Sequence, residues 1–156
     1  MTYQPPPRPS PPSGQILVDP SLTRGVLTPR FFAYLIDLCV IGLLMVVLWM
    51  IISVIGLLTF GLGWLLYPVL GVTGVIYSAI TVGGPRQSTI GMRLLGLKVI
   101  SVDGRPDVIT AGVHALFYYV AAGTVLLWLI DVITGLVRSD RRMLHDLLTG
   151  LTVVRE

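Results

Sequence analysis

Residues Phe31 to Leu58 form one apolar run in which Asp37, Tyr34 and Cys39 are the only ionisable side chains. About 20 such residues, wound as a helix, cross the hydrocarbon of a bilayer, so this run sets the class of the protein. An acid inside it is expensive, about 2.5–3.5 kcal/mol on insertion scales. A chain that keeps Asp37 there must give it a partner or a task. The rest of the composition agrees: 54% of residues are hydrophobic and 12% charged, against roughly 25% charged in soluble domains. The expectation is an integral membrane protein built on one domain. No secretory signal is expected, because the first 15 residues contain no apolar core and the first apolar block is too long. The sole cysteine, Cys39, excludes an intrachain disulfide or a thiolate metal site and reads as a small buried hydrophobe.

The chain changes character near residue 25. Residues 1–24 are proline-rich and are expected to be a disordered cytoplasmic tail, with 25–156 as the membrane domain. The PxxP spacings Pro6–Pro9 and Pro9–Pro12 fit an aromatic groove, but a passive tail is the favoured reading. A first span is expected over 30–58, then an uncharged turn at 59–63, then a second span over 64–82 in which Pro68 is a candidate kink. Gly74 with Ser78, and Ala79 with Gly83, form small-residue pairs suited to close packing against the first span. Ser88 is placed to cap a short amphipathic helix lying at the interface. Leu97–Val102 and Leu151–Val154 read as two short strands able to form a ribbon.

The last apolar region, Val108 to Val137, is either one span or a hairpin. Charge favours the hairpin. The 11 Lys and Arg residues divide as three before the first span, four in 86–105 and four in 138–155. All three flanks are basic, and basic flanks lie in the cytoplasm, so the crossings must be even in number. A break near Ala121-Ala122-Gly123-Thr124 satisfies this and returns the C-terminus to the cytoplasm. The fold class expected is therefore an all-α membrane protein with two transmembrane helices, a third apolar segment, an interfacial helix and a short cytoplasmic β-ribbon. The same placement of charge explains the net charge of +3 through topology and anionic lipid, so no nucleic-acid partner is expected.

Arg30 and Asp37, seven residues apart, fall on nearly one helix face about 10 Å apart along the axis, with Tyr34 between them as a possible bridge. Asp37 is either a protonatable or cation-binding carboxylate, or a buried acid neutralised by basic groups from the cytoplasmic side. Asp131, inside another apolar stretch, either faces Asp37 or lies at the interface. His114 is either a neutral histidine bonded to a carbonyl or part of a proton relay with Asp37 or Asp131. Arg142 and Asp146 stand at i and i+4 and could pair; Asp146 is the better match for Arg93 or Arg30. His145, beside Asp146, completes the set of candidates. No local metal-ligand spacing and no hydrolase or nucleotide motif occurs, so no enzyme, cofactor or metal is expected.

Three blocks carry a resemblance: Arg30-Phe31-Phe32-Ala33-Tyr34-Leu35-Ile36-Asp37, Ser88 to Val99, and Leu144 to Val154. In this order they resemble the RDD family of small bacterial membrane proteins, named for one arginine and two aspartates. The resemblance implies Arg30 and Asp37 as the first two signature residues and Asp146 as the third. Leu151 departs from the threonine usual after the glycine. The resemblance implies a protein of the bacterial inner membrane, and the expected spans with their basic flanks make it multi-pass with both termini cytoplasmic. Two functions are expected. One is transport-related handling of a proton or small cation through Asp37. The other is an accessory or assembly role in which the ionic residues are structural. The expected partners are the lipid bilayer and a second copy of the chain or a larger membrane complex.

Overall fold

The structure is a computed structural model that describes residues 20–101 and 104–156. The expected tail up to residue 19, with its PxxP spacings, and Asp103 lie outside the described residues. Pro20–Thr23 (α1), inside the stretch expected to be unfolded, is a single helical turn that lies against the last strand.

The long apolar run folds as α2, Leu27–Leu58, a helix of 32 residues. Pro29, which has no backbone N–H, is tolerated in its first turn, where that group would have no partner in any case. Among the described residues α2 alone is long and apolar enough in itself to cross a bilayer. Most of its surface is bare, including Leu43, Trp49, Met50 and Leu57. That is how a helix solvated by lipid differs from the core helix of a soluble protein. Cys39 also faces outward, so the expectation of a buried cysteine is corrected: it lies on the face that α2 turns away from the other helices.

Phe60 and Gly61 adopt positive φ and reverse the chain. A 3-10 turn over Leu62–Leu66 follows, and α3 runs from Pro68 to Val82. Pro68 therefore starts this helix instead of kinking it, since its ring blocks the hydrogen bond a longer helix would need. Ser53 and Tyr67 share a hydrogen bond of 3.1 Å at one end of the α2/α3 pair, and Asp37 and Tyr77 one of 2.6 Å at the other. The two helices are thus antiparallel. The small-residue face of α3, expected to meet α2, meets a later helix instead. Gly74 lies under the Tyr119 ring, and Gly83 lies against the backbone of Val108.

After α3 come a short helix α4, Ile90–Leu94, and strand β1, Leu97–Ser101. Thr89 caps α4 by accepting from the Met92 N–H at 3.2 Å. Ser88, the expected cap, donates to the Arg86 carbonyl instead. Helix α5 spans Val108–Ala122 and starts where Asp107 accepts from the Thr110 N–H at 2.7 Å. Helix α6 spans Val125–Val137, and the chain bends by 117° between the two at Gly123-Thr124. The apolar region is therefore a bent pair of helices, broken within the expected stretch Ala121-Ala122-Gly123-Thr124.

Helix α7, Leu144–Thr149, ends at Gly150, whose φ of +68° suits glycine. That residue swings the chain straight into β2, Leu151–Arg155. β2 pairs antiparallel with β1, Leu97 opposite Arg155 and Ser101 opposite Leu151. Buried Val26, Ala33, Val82, Leu97, Val99, Ala111, Leu151 and Val153 form one core around this ribbon. Leu151, the departure from the family pattern, is fully buried there, so an apolar contact fills the position. The buried core thus lies at the end of the α2/α3 pair that carries Asp37 and Tyr77.

Candidate functional site: a buried Arg–Asp–His layer

Arg30 and Asp37 leave the same helix end but serve different partners. Arg30, in the second turn of α2, reaches α7. Its two terminal nitrogens donate to Asp146 Oδ2 at 2.7 Å and Oδ1 at 3.0 Å, and both side chains are buried. Such a parallel pair is the strong form of an Arg–carboxylate contact. Asp146 Oδ2 also accepts from the Met143 N–H at 3.0 Å, closing the first turn of α7. Burial alone would raise the Asp146 carboxyl. The Arg30 charge and hydrogen bonds, acting together with the imidazoles of His145 and His114, outweigh burial and hold the group well below the usual carboxylate range.

The other candidate partners of Asp146 are placed elsewhere. Arg93 donates to the Ser88 carbonyl at 3.2 Å. Arg142 donates to the backbone carbonyls of Asp146 and Leu151, at 3.1 and 3.2 Å, so it braces α7 against β2 and does not pair with the Asp146 carboxylate.

Asp37 is the larger correction. It was expected to be neutralised by basic groups, yet it figures in none of the ion pairs among the described residues. Three neutral donors meet it instead. The Tyr77 hydroxyl and the Gly91 N–H donate to Oδ1 at 2.6 and 2.8 Å, and the Thr89 hydroxyl donates to Oδ2 at 2.6 Å. Tyr77 accepts in turn from the Ile90 N–H at 3.0 Å. The acid therefore ties α3 and α4 to α2. Tyr34, the expected bridge, packs edge-on against Tyr118 with ring centres 5.5 Å apart.

This arrangement predicts a mild Asp37→Asn phenotype. The amide oxygen can keep the Tyr77 and Gly91 bonds, and the Thr89 hydroxyl can turn to accept from the amide. Only the charge-assisted part is lost, about 1–2 kcal/mol. Thermal unfolding of the purified variant in mild detergent checks this; loss of all folded protein would contradict it.

The remaining candidates come together. His145, at the start of α7, donates its backbone N–H to Asp131 Oδ1 at 3.0 Å, and its Nδ1 lies 2.8 Å from both Asp131 oxygens. His114, from α5, places Nδ1 at 2.9 Å from the Thr149 hydroxyl. The two imidazole rings lie 4.7 Å apart, and the Nε2 atoms of His145 and His114 stand 3.4 and 3.7 Å from Asp146 Oδ1. Arg30, Asp37, His114, Asp131 and His145 all line one mainly apolar cavity of about 340 Å³ between α2, α3, α5, α6 and α7. Asp131 and Asp37 thus share a cavity without sharing a bond. The carbonyl partner expected for a neutral His114 is replaced by a hydroxyl.

Tyr77, Thr89, Gly91 and Thr149 escaped the sequence reading. Thr89 and Gly91 belong to a recognised block, and Thr89 stands directly before an amphipathic helix, which is the usual signal of a cap. Thr149 also lies in a recognised block, Leu144 to Val154; nothing local marks Tyr77. Comparisons with curated proteins and with solved structures give no match. The family model for RDD matches residues 24–150, which takes in every residue of this layer. The chain belongs to the RDD family.

Proposed function

We propose that this membrane protein is transport-related and handles a small cation at the cavity beside the Arg30–Asp146 pair, with Asp131 and the two histidines as the working groups. The observation that supports the reading is the cavity itself. It opens between apolar helices, yet its wall carries two carboxylates, two imidazoles and a guanidinium, a set that is costly in such surroundings unless it serves a charged species. Asp37 belongs to the framework, since its oxygens already hold three donors. The role is non-enzymatic, in the bacterial inner membrane. Both termini face the cytoplasm, as the basic flanks require, and the α5/α6 break enters the membrane and returns. So few helices do not enclose a path alone, so the working unit is a homo-oligomer.

The test is cation flux into liposomes carrying the purified chain, followed with entrapped H⁺- and Zn²⁺-sensitive dyes. Asp131→Asn is expected to lower the flux at least tenfold while Asp37→Asn, if folded, retains most of it. Equal flux in Asp131→Asn and wild type would overturn the reading. An assembly role is the second reading, favoured by the complete pairing of Asp37 and Asp146. It gains if neither dye responds and one partner protein co-purifies in fixed ratio.

A further inference from the structure

We propose that His114 Nε2, His145 Nε2 and Asp146 Oδ1 form a three-ligand site for a divalent transition-metal ion of the zinc class, with a fourth position open to the cavity. The inference rests on the cation reading above and names the ion.

The hydrogen bonds fix how each ring presents itself. The Thr149 hydroxyl gives its proton to the His145 carbonyl at 2.9 Å, so toward His114 it can only accept, and His114 Nδ1 carries the proton of that bond. His145 Nδ1 faces both oxygens of Asp131 and is likewise the donor. In the neutral form of each ring Nε2 is then a bare lone pair. Both nitrogens stand within 3.7 Å of one carboxylate oxygen. Lone pairs facing a carboxylate repel it unless a positive centre lies between them.

The spacing suits a metal ion at that point. The separations of 3.4 and 3.7 Å are long for a hydrogen bond. With metal–ligand bonds of about 2.0–2.2 Å, the edge of a tetrahedral site is about 3.3–3.6 Å. All three ligand atoms lie within 4.8 Å of one another.

The surroundings supply what such a site needs. Asp131 on the far nitrogen of His145 reproduces the carboxylate–histidine arrangement that orients metal ligands. Thr149 does the same for His114, and Arg30 fixes the rotation of the Asp146 carboxylate. Two imidazoles and one carboxylate select zinc, cobalt or nickel over magnesium or calcium. Both histidines line the cavity, so a water can complete the shell and the ion can exchange. Local spacing gives no hint of this site, because its ligands come from α5 and α7, 31 residues apart.

The chain has only two histidines, both in this cluster, and one cysteine. Specific binding therefore has no second imidazole site. The untagged full-length chain, purified in mild detergent and stripped with chelator, is titrated with CoCl₂ and then ZnCl₂. One equivalent of Co²⁺ should give the visible absorption of a four-coordinate N/O site, displaced by one equivalent of Zn²⁺. His114→Ala should abolish the bands. Asp131→Asn, a positioning variant, should keep the stoichiometry and weaken affinity about 10–100-fold.

Gel filtration and the melting profile without metal identify variants that have not folded. If His114→Ala does not fold, the wild-type titration and Asp131→Asn decide alone. No stoichiometric uptake by wild type, or unchanged affinity in both variants, overturns the site. Binding without liposome flux leaves the site standing and removes the transport reading. H⁺ flux that depends on Asp131 in a chain that takes up no metal does the reverse.

Discussion

Arg30→Met is expected to destabilise the protein by about 3–5 kcal/mol, because it strands the Asp146 carboxylate in a fully buried position with neither guanidinium bond. The Met143 N–H and the histidines remain beside it, but none replaces two charge-assisted bonds. The check is thermal unfolding in detergent, together with the yield of folded protein from membranes. Adding Asp146→Leu to Arg30→Met should recover part of the loss, since an apolar pair no longer buries an unmatched charge. Recovery stays incomplete, because Asp146 also caps α7 through Met143, a contact worth about 1 kcal/mol. A double variant as damaged as the sum of the singles would show that the pair is not what holds these elements together.

Gly91→Ala is the second large effect, expected at about 3 kcal/mol from overpacking and a weakened bond to a charged acceptor. A Cβ at Gly91 would overlap the Ala33 carbonyl oxygen and stand 3.0 Å from the Asp37 carboxyl carbon. Those atoms belong to the backbone of α2 and to a side chain fixed by three donors, so α4 must move. Moving it stretches the Gly91 N–H bond to Asp37, now 2.8 Å. Gly71→Ala in α3 is the control. Nothing lies within 4 Å of its added Cβ, so it should be neutral or stabilising by up to about 1 kcal/mol through helix propensity. Equal melting temperatures for the two alanine variants would refute the close approach of α4 to α2.

The elements were legible where the pattern is local. The long apolar run, the charge-free turn, the β-branched runs and the break at Gly123-Thr124 all declare themselves within a few residues. Arg30 with Asp146 was open to inference, because a buried acid calls for a cation. Its competitor Arg93 could be set aside only once α4 was placed. Asp37 misled for the same reason. The rule that a membrane acid needs a basic partner holds on average, but here two hydroxyls and one backbone N–H from two separate stretches do the work. The sequence does not show that they converge. The small-residue face of α3 was visible, whereas the helix it meets depends on how α5 folds back. The histidine cluster was hidden for a similar reason, since ligand searches look for short spacings and this one joins distant helices.

The length of α2 has a consequence for depth. Its 32 residues extend about 48 Å at 1.5 Å per residue, well beyond a hydrocarbon slab of about 30 Å. Counted back from Leu58, that slab is used up near residue 38. A slab that begins at Leu58 would leave Asp37 and Arg30 level with the lipid headgroups, on a stem that rises out of the oily layer. A carboxylate at that level would be far cheaper than one at the midplane, where hydroxyls and an amide would not suffice for it. Thicker bilayers would draw the stem inward and drown the acid, so the protein should favour thin membranes.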